Sequence, residues 1–368
     1  MQVRYSYLQQ QFENCDDLWE NLKEFVITGD FTLGKPLQEF EDKFANLIGT
    51  NHAIGVNSGT DAIKLSLKAL GIQNGDEVIT TANTFVATVG AIAELGAIPV
   101  FVDCDDTFCM NVDLLEAAIT SRTKAIVPVH FTGYMTDLRK LLPIAEKHGL
   151  PVVEDACQSI LGAIDGKNAG TWAQTGAFSL HPLKNLNVWS DGGVIVTNDP
   201  VLADKLRLLR NHGLVDRDKV SILGCNSRLD TFQAVVGNWL IPQTEMIAQK
   251  RIKNAAYYDK HLASLPKITI PPRPADYRVV YHLYIVFAEH RNALLEYCLD
   301  QGIEAKVHYQ VPIYRQPALA HLHYKEGDFP VTDAHTHKII TFPCDQHISR
   351  EEMDFVIQTV TEFYRKDI

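Results

Sequence analysis

Lys184 stands in the run Ala177-Phe-Ser-Leu-His-Pro-Leu-Lys-Asn-Leu186, and upstream the apolar run Pro151-Val-Val-Glu-Asp155 ends in an acid. A lysine just past one apolar strand and an aspartate at the end of another can share one site. Together they supply what pyridoxal phosphate (PLP) needs. The amine forms a Schiff base with the aldehyde, and the carboxylate keeps the pyridine nitrogen protonated so that the ring accepts electrons. Either residue alone would read as a solvated side chain, a cap or an ion-pair partner, so the surroundings must carry the argument.

Asn57-Ser-Gly-Thr-Asp-Ala62 follows one strand pattern and opens a helix. Helix-start amides lack acceptors and Gly59 allows close approach, so the segment reads as a phosphate cradle or as a plain cap by Ser58 or Thr60. It lacks Walker A spacing, and there is no Gly-x-Gly-x-x-Gly fingerprint, which disfavours ATP and NAD. Phe85, in Ala82-Asn-Thr-Phe-Val-Ala-Thr88, stands where a ring can stack on a cofactor or pack into a core. Gln158 and Ser179 fall within reach of the same strand ends, as ligand contacts or as solvated polar groups.

The elements that position these residues alternate. Strand patterns at Ala53–Val56, Glu77–Thr80, Ile98–Val102, Ala125–Val129, Val152–Glu154 and Ala177–Leu180 are separated by helical patterns at Thr60–Leu70, Thr84–Leu95, Val112–Ile119 and Asp137–His148. Apolar runs without alternation predict strands covered on both faces, hence an α/β fold with a mostly parallel sheet flanked by helices. Gly193–Thr197 is one more strand, its direction left open by the pattern. A helical stretch from Leu229 to Leu265 is interrupted at Pro242. After the proline-rich 265–274, a strand at Tyr281–Phe287, a helix at Asn292–Gln301, a strand at Glu304–Tyr309 and a helix at Arg350–Arg365 predict a smaller α+β unit. The division expected is a large domain over 1–250, with an N-terminal arm, and a small C-terminal domain over 251–368.

Composition narrows the classes. Thirty-four basic against 45 acidic residues, a net charge of −11, with no basic block, argues against nucleic-acid binding. Seven scattered cysteines without Cys-x-x-Cys fit free thiols in a cytoplasmic protein. Neither a signal-peptide pattern nor a bilayer-length apolar run is present, so no membrane association is expected. The pairs His321-x-His323 and His335-x-His337 lack carboxylate or cysteine companions, and no metal is expected.

The run from Gly29-Asp-Phe-Thr-Leu-Gly34 through Asn57–Ala62, Glu154–Gln158 and Phe178–Gly193 to Asn226-Ser-Arg-Leu-Asp230 resembles the DegT/DnrJ/EryC1/StrS family, PLP-dependent sugar aminotransferases of fold type I. The resemblance implies that Lys184 is the Schiff-base lysine and proton shuttle and that Asp155 pairs with the ring nitrogen. It further implies that Gln158 contacts the ring hydroxyl, that Gly59, Thr60, Asp61 and Ser179 hold the phosphate, and that Phe85 covers the ring. Asn226 would reach the phosphate of the neighbouring subunit, making a homodimer with shared active sites. L-Glutamate would be the donor, the cofactor alternating with pyridoxamine phosphate, and a keto-sugar the acceptor.

Arg228 is a candidate for the donor carboxylate or for a salt bridge. His308, Tyr309 and Tyr314 fall in His308-Tyr-Gln-Val-Pro-Ile-Tyr314, where the family commonly reads His-Tyr-Pro-x-Pro-x-His, and Trp189 replaces part of a glycine-rich stretch near the substrate. The pattern from Lys184 to Gly193 is most similar to the 8-amino-3,8-dideoxy-manno-octulosonate transaminases of lipopolysaccharide synthesis, which implies 8-keto-3,8-dideoxy-manno-octulosonate as acceptor. A nucleotide-linked 3- or 4-keto-6-deoxyhexose is the alternative. A dehydratase, which carries histidine in place of the lysine, another fold-type I reaction such as β-elimination, and a non-catalytic regulatory protein on the same scaffold are the rivals.

Overall fold

The computed structural model describes residues 1–365. Seven strands, β1 (His52–Val56), β2 (Glu77–Thr81), β3 (Ile98–Val102), β4 (Thr123–Val127), β5 (Val153–Asp155), β6 (Thr175–Ser179) and β7 (Gly193–Thr197), build the main sheet. Their order is β3-β2-β4-β5-β6-β7-β1, with β4 and β5 joined by the parallel bridges Ile126–Val152 and Val129–Asp155. Of these seven only β7 runs against its neighbours. Side chains leave each strand on alternate faces, and both faces are buried. Ala53, Phe178 and Val194 join the core under the helix Lys35–Ile48, while Ile54, Ala177 and Ile195 join the core under the helix Gly59–Ala69. That explains strand runs with no apolar–polar alternation.

Two elements depart from expectation. The predicted helix Val112–Ile119 is two 3-10 turns, Val112–Leu114 and Glu116–Ala118. Val112 and Leu115, three apart, are both buried, and a three-residue turn puts such a pair on one side. The predicted strand at 304–309 makes a single bridge, Lys306 to Thr341. The small antiparallel sheet is instead Ile268–Thr269, Tyr284–Ala288 and Ile339–Phe342.

The helix Thr244–Leu262, set off from Thr231–Leu240 by a turn at Pro242, runs through the expected boundary at 250. Its Ile247 and Ala248 belong to the large core, and its Ala255, Tyr258 and Leu262 to the core of the C-terminal part. The arm joins that C-terminal part: Val3 bridges Ile303, and Tyr7 donates to Glu352 Oε1 at 2.6 Å. No helix among the described residues is long and apolar enough to cross a membrane.

Candidate active site

The carboxyl ends of β5 and β6 open onto a cavity of about 340 Å³, the edge where parallel sheets place ligands. Asp155 ends β5 and is 5% exposed. Its Oδ2 accepts from Thr88 Oγ1 at 2.7 Å and its Oδ1 from the Cys157 amide at 3.2 Å. Backbone bonds to Pro128 and His130 fix its position. Glu154, one residue earlier, faces the other way, accepting from the amides of Gly170, Trp172 and Ala173 and pairing with buried His130.

Lys184 follows β6 in a turn closed by its own N–H to the His181 carbonyl, 2.8 Å, and its amine lines the cavity. Burial pulls its pKa below the ordinary lysine value, opposed by the nearby Cys157 and Asp155. A lowered lysine pKa favours the neutral, nucleophilic amine.

At the other end of the cavity, Ser58 caps the helix Gly59–Ala69 by accepting from the Asp61 amide at 3.1 Å. Helix geometry leaves the Gly59 and Thr60 amides without intrahelical acceptors. A Cβ on Gly59 would stand 2.7 Å from Ser179 Cβ and 2.9 Å from Cys157 Sγ, so only glycine keeps this corner open. Gln158 accepts from the Thr132 amide at 2.8 Å, which fixes the carboxamide and leaves its NH2 for a ligand. Phe85, 48% exposed, lies 5.9 Å from Tyr309 at the cavity wall.

The structure therefore brings Gly59, Thr60, Phe85, Asp155, Gln158, Ser179, Lys184, His308 and Tyr309 to one cavity. Five candidates lie elsewhere. The Asp61 carboxylate is held by Lys64 at 2.7 Å and by Ser227 Oγ at 2.6 Å, anchoring the helix start outside the cavity lining. Tyr314 is buried against Phe329 and Phe101 and donates to Asp333, because the turn Ile313–Arg315 aims it into a satellite core. Trp189 packs on Trp19 at 5.2 Å and Phe12 at 5.7 Å, its backbone held by Gln233, and lines a separate apolar cleft. Asn226 and Arg228 line another cavity, with Phe31 and Leu33, outside this chain's lysine site.

Thr88, His282, Lys306 and Tyr5 also line the lysine cavity, unmarked by the sequence reading. Thr88 lay within the Phe85 motif and its place on the following helix offered a signal. Lys306 lay two residues before the His308 motif, whereas Tyr5 offered no signal, because it comes from the N-terminal arm.

The arrangement fits pyridoxal phosphate. Asp155 has one donor on each oxygen and no ion pair among the described residues, so a buried carboxylate faces the cavity without an ion-pair partner. A protonated pyridine nitrogen supplies one. The helix start suits the phosphate, Phe85 the ring face and Lys184 the aldehyde.

Known proteins resemble this chain over most of its length. "Pleiotropic regulatory protein" of Geobacillus stearothermophilus is 38% identical over 369 residues, 99% of each chain. The dTDP-3-amino-3,4,6-trideoxy-alpha-D-glucose transaminase of Streptomyces venezuelae is 39% identical over 337 residues, 91% of this chain and 89% of that one. The crystal structure of S. venezuelae DesV in complex with a ketimine intermediate superimposes with a TM-score of 0.96 at 36% identity, over 98% of both chains. The profile of the DegT/DnrJ/EryC1/StrS aminotransferase family matches residues 14–361, and the chain belongs to that family of PLP-dependent sugar aminotransferases.

Proposed function

We propose that this protein moves an amino group from L-glutamate to the ketone of a nucleotide-linked 3- or 4-keto-6-deoxyhexose, with Lys184 and Asp155 as its catalytic residues. The observation that carries the reading is the meeting of the Lys184 amine and the buried Asp155 carboxylate at a cavity closed by a helix start. The S. venezuelae transaminase, whose name specifies a dTDP-linked 3-amino sugar, supports the nucleotide-linked class and position 3. The octulosonate acceptor rests on the Lys184–Gly193 motif and on the departures at Gln310 and Tyr314, and neither Trp189 nor Tyr314 lines this chain's cavity.

What pyridoxal phosphate supplies when bound is an electron-accepting ring and a carbon that carries the amino group from donor to acceptor. The chain supplies the rest. Asp155 stabilises positive charge at the ring nitrogen, Gly59, Thr60 and Ser179 hold the phosphate, and Gln158 and Phe85 fix the ring. The Lys184 amine takes the proton from the donor's α-carbon, and in the reverse direction gives one to the product's new C–H.

A homodimer with shared sites belongs to this proposal. Exposed Asn226 and half-exposed Phe31 border one cavity that the chain's own lysine site does not use. A second reading, a regulatory protein without turnover, takes support from the name of the Geobacillus relative.

The deciding experiment loads the protein with pyridoxamine phosphate and offers dTDP-linked 3-keto and 4-keto-6-deoxyhexoses and free 8-keto-3,8-dideoxy-manno-octulosonate, following amino-sugar by mass spectrometry. Product from the nucleotide-linked ketones is expected. Product from the octulosonate alone overturns the acceptor assignment, and no product from any ketone favours the regulatory reading.

A further inference from the structure

Lys306 and His308 sit two residues apart in an extended segment pinned to the small sheet, so their side chains leave on one side. The Lys306–Thr341 bridge and the 2.8 Å contact between His308 Nδ1 and Thr341 Oγ1 set that position. Both side chains line the lysine cavity. Its walls hold five groups that can be cationic: Lys184, Lys306, His181, His282 and His308.

Lys184 would serve the Schiff base and the proton transfer. The imidazoles are poor cations here. Burial, with the charges of Lys306 and Lys184, lowers His308 to about 4, and burial drives His282 well below the usual range. His181 is lowered by burial and by Lys184. Lys306 remains. Its ammonium lies 4.0 Å over the Tyr5 ring and, among the described residues, makes no ion pair with a carboxylate. An aromatic face steadies a cation without neutralising its charge. Tyr5 is itself held by its amide to Glu304 Oε2, 2.8 Å, and stacks on His308 at 5.9 Å.

We propose that Lys306, steadied on Tyr5, is the anion subsite of this cavity and takes a carboxylate or phosphate oxygen of the substrate. The inference rests on the transaminase reading and deepens it. Both partners of that reaction carry oxyanions, the donor in its carboxylates and the nucleotide-linked sugar in its diphosphate. A single cation on the wall can meet either one.

The test compares the PLP-loaded wild type with Lys306→Met and Lys306→Arg. Calorimetry with 2-oxoglutarate and with dTDP reads the subsite without turnover, and each half-reaction is then timed separately. We expect Lys306→Met to weaken one of the two ligands about tenfold or more, to raise KM for the matching substrate with kcat little changed, and to flatten the salt dependence of binding. Lys306→Arg restores binding. Loss of 2-oxoglutarate affinity alone assigns the anion to the donor, and loss of dTDP affinity alone assigns it to the sugar nucleotide. Equal affinities for both ligands in wild type and Lys306→Met overturn the subsite, whatever the turnover. An inactive wild type with a Lys306-dependent affinity would sink the transaminase reading and leave the subsite standing.

Discussion

Thr88 Oγ1 lies 2.7 Å from Asp155 Oδ2, and Thr84 Oγ1 lies 2.8 Å from Thr88 Oγ1. A carboxylate can only accept, so the Thr88 proton points to Asp155 and the Thr84 proton to Thr88. Both threonines are buried, Thr84 at 2% and Thr88 at 1% exposure. The chain of hydroxyls orients the Asp155 carboxylate at the cavity wall.

Thr88→Val keeps the shape and removes the donor. A hydrogen bond to a charged group contributes about 1.5–3 kcal/mol, so kcat should fall roughly ten- to a hundred-fold. Thr88→Ser keeps the hydroxyl and loses a methyl group. It should retain most of the activity and the wild-type cofactor absorption, whereas Thr88→Val shifts that absorption and its pH dependence. Equal damage in both variants would show that Thr88 only fills space.

Gly59→Ala places a methyl group against Ser179 and Cys157, at 2.7 and 2.9 Å before relaxation. Overpacking of this kind costs about 1–3 kcal/mol. Because the strain falls at the start of the helix Gly59–Ala69, the expected result is weaker cofactor binding by tenfold or more in equilibrium dialysis, with secondary structure intact. Wild-type affinity in this variant would remove Gly59 from the phosphate cradle.

Burial lowers the Lys184 pKa from 10.5. In cofactor-free protein, competition labelling should therefore find Lys184 half-reacted at a lower pH than the exposed lysines. Neutralising Asp155 removes a charge that holds the value up, so Asp155→Asn should move this midpoint lower still. Titration of Lys184 alongside the surface lysines would contradict its placement in the cavity wall.

His308 binds its proton at about 4 when folded, against 6.5 for the free side chain. Below pH 6.5 the unfolded chain takes up a proton that the native site refuses, so stability is present above that pH and is lost as pH falls from 6.5 towards 4. Denaturant unfolding of His308→Gln should show a shallower loss across this window than wild type. An unchanged slope would mean that His308 titrates normally.

Much of the architecture was legible because local patterns and global packing agree. Strands buried on both faces must be continuously apolar, and the runs at Ile98–Val102 and Gly193–Thr197 have the same bounds in the structure. Segments that serve the cavity were harder to read. The stretch 304–309 has a strand's composition, yet Lys306, His308 and Tyr309 face the cavity and the third strand of the small sheet forms at Ile339–Phe342.

By itself the sequence determined the sheet and its flanking helices, the lysine, the aspartate and the glycine at the helix start, because each depends on neighbours close along the chain. The tertiary structure added what holds each acid: alternate strand residues face opposite sides, so Asp155 turns to the cavity and Thr88 while Glu154 turns to the amides of Gly170, Trp172 and Ala173. Folding also separated Asp61, Tyr314 and Trp189 from the site that their motifs suggested, and brought Tyr5 of the N-terminal arm and Lys306 of the C-terminal part to it. A side chain's direction and its long-range company follow from packing, which no short stretch of sequence contains.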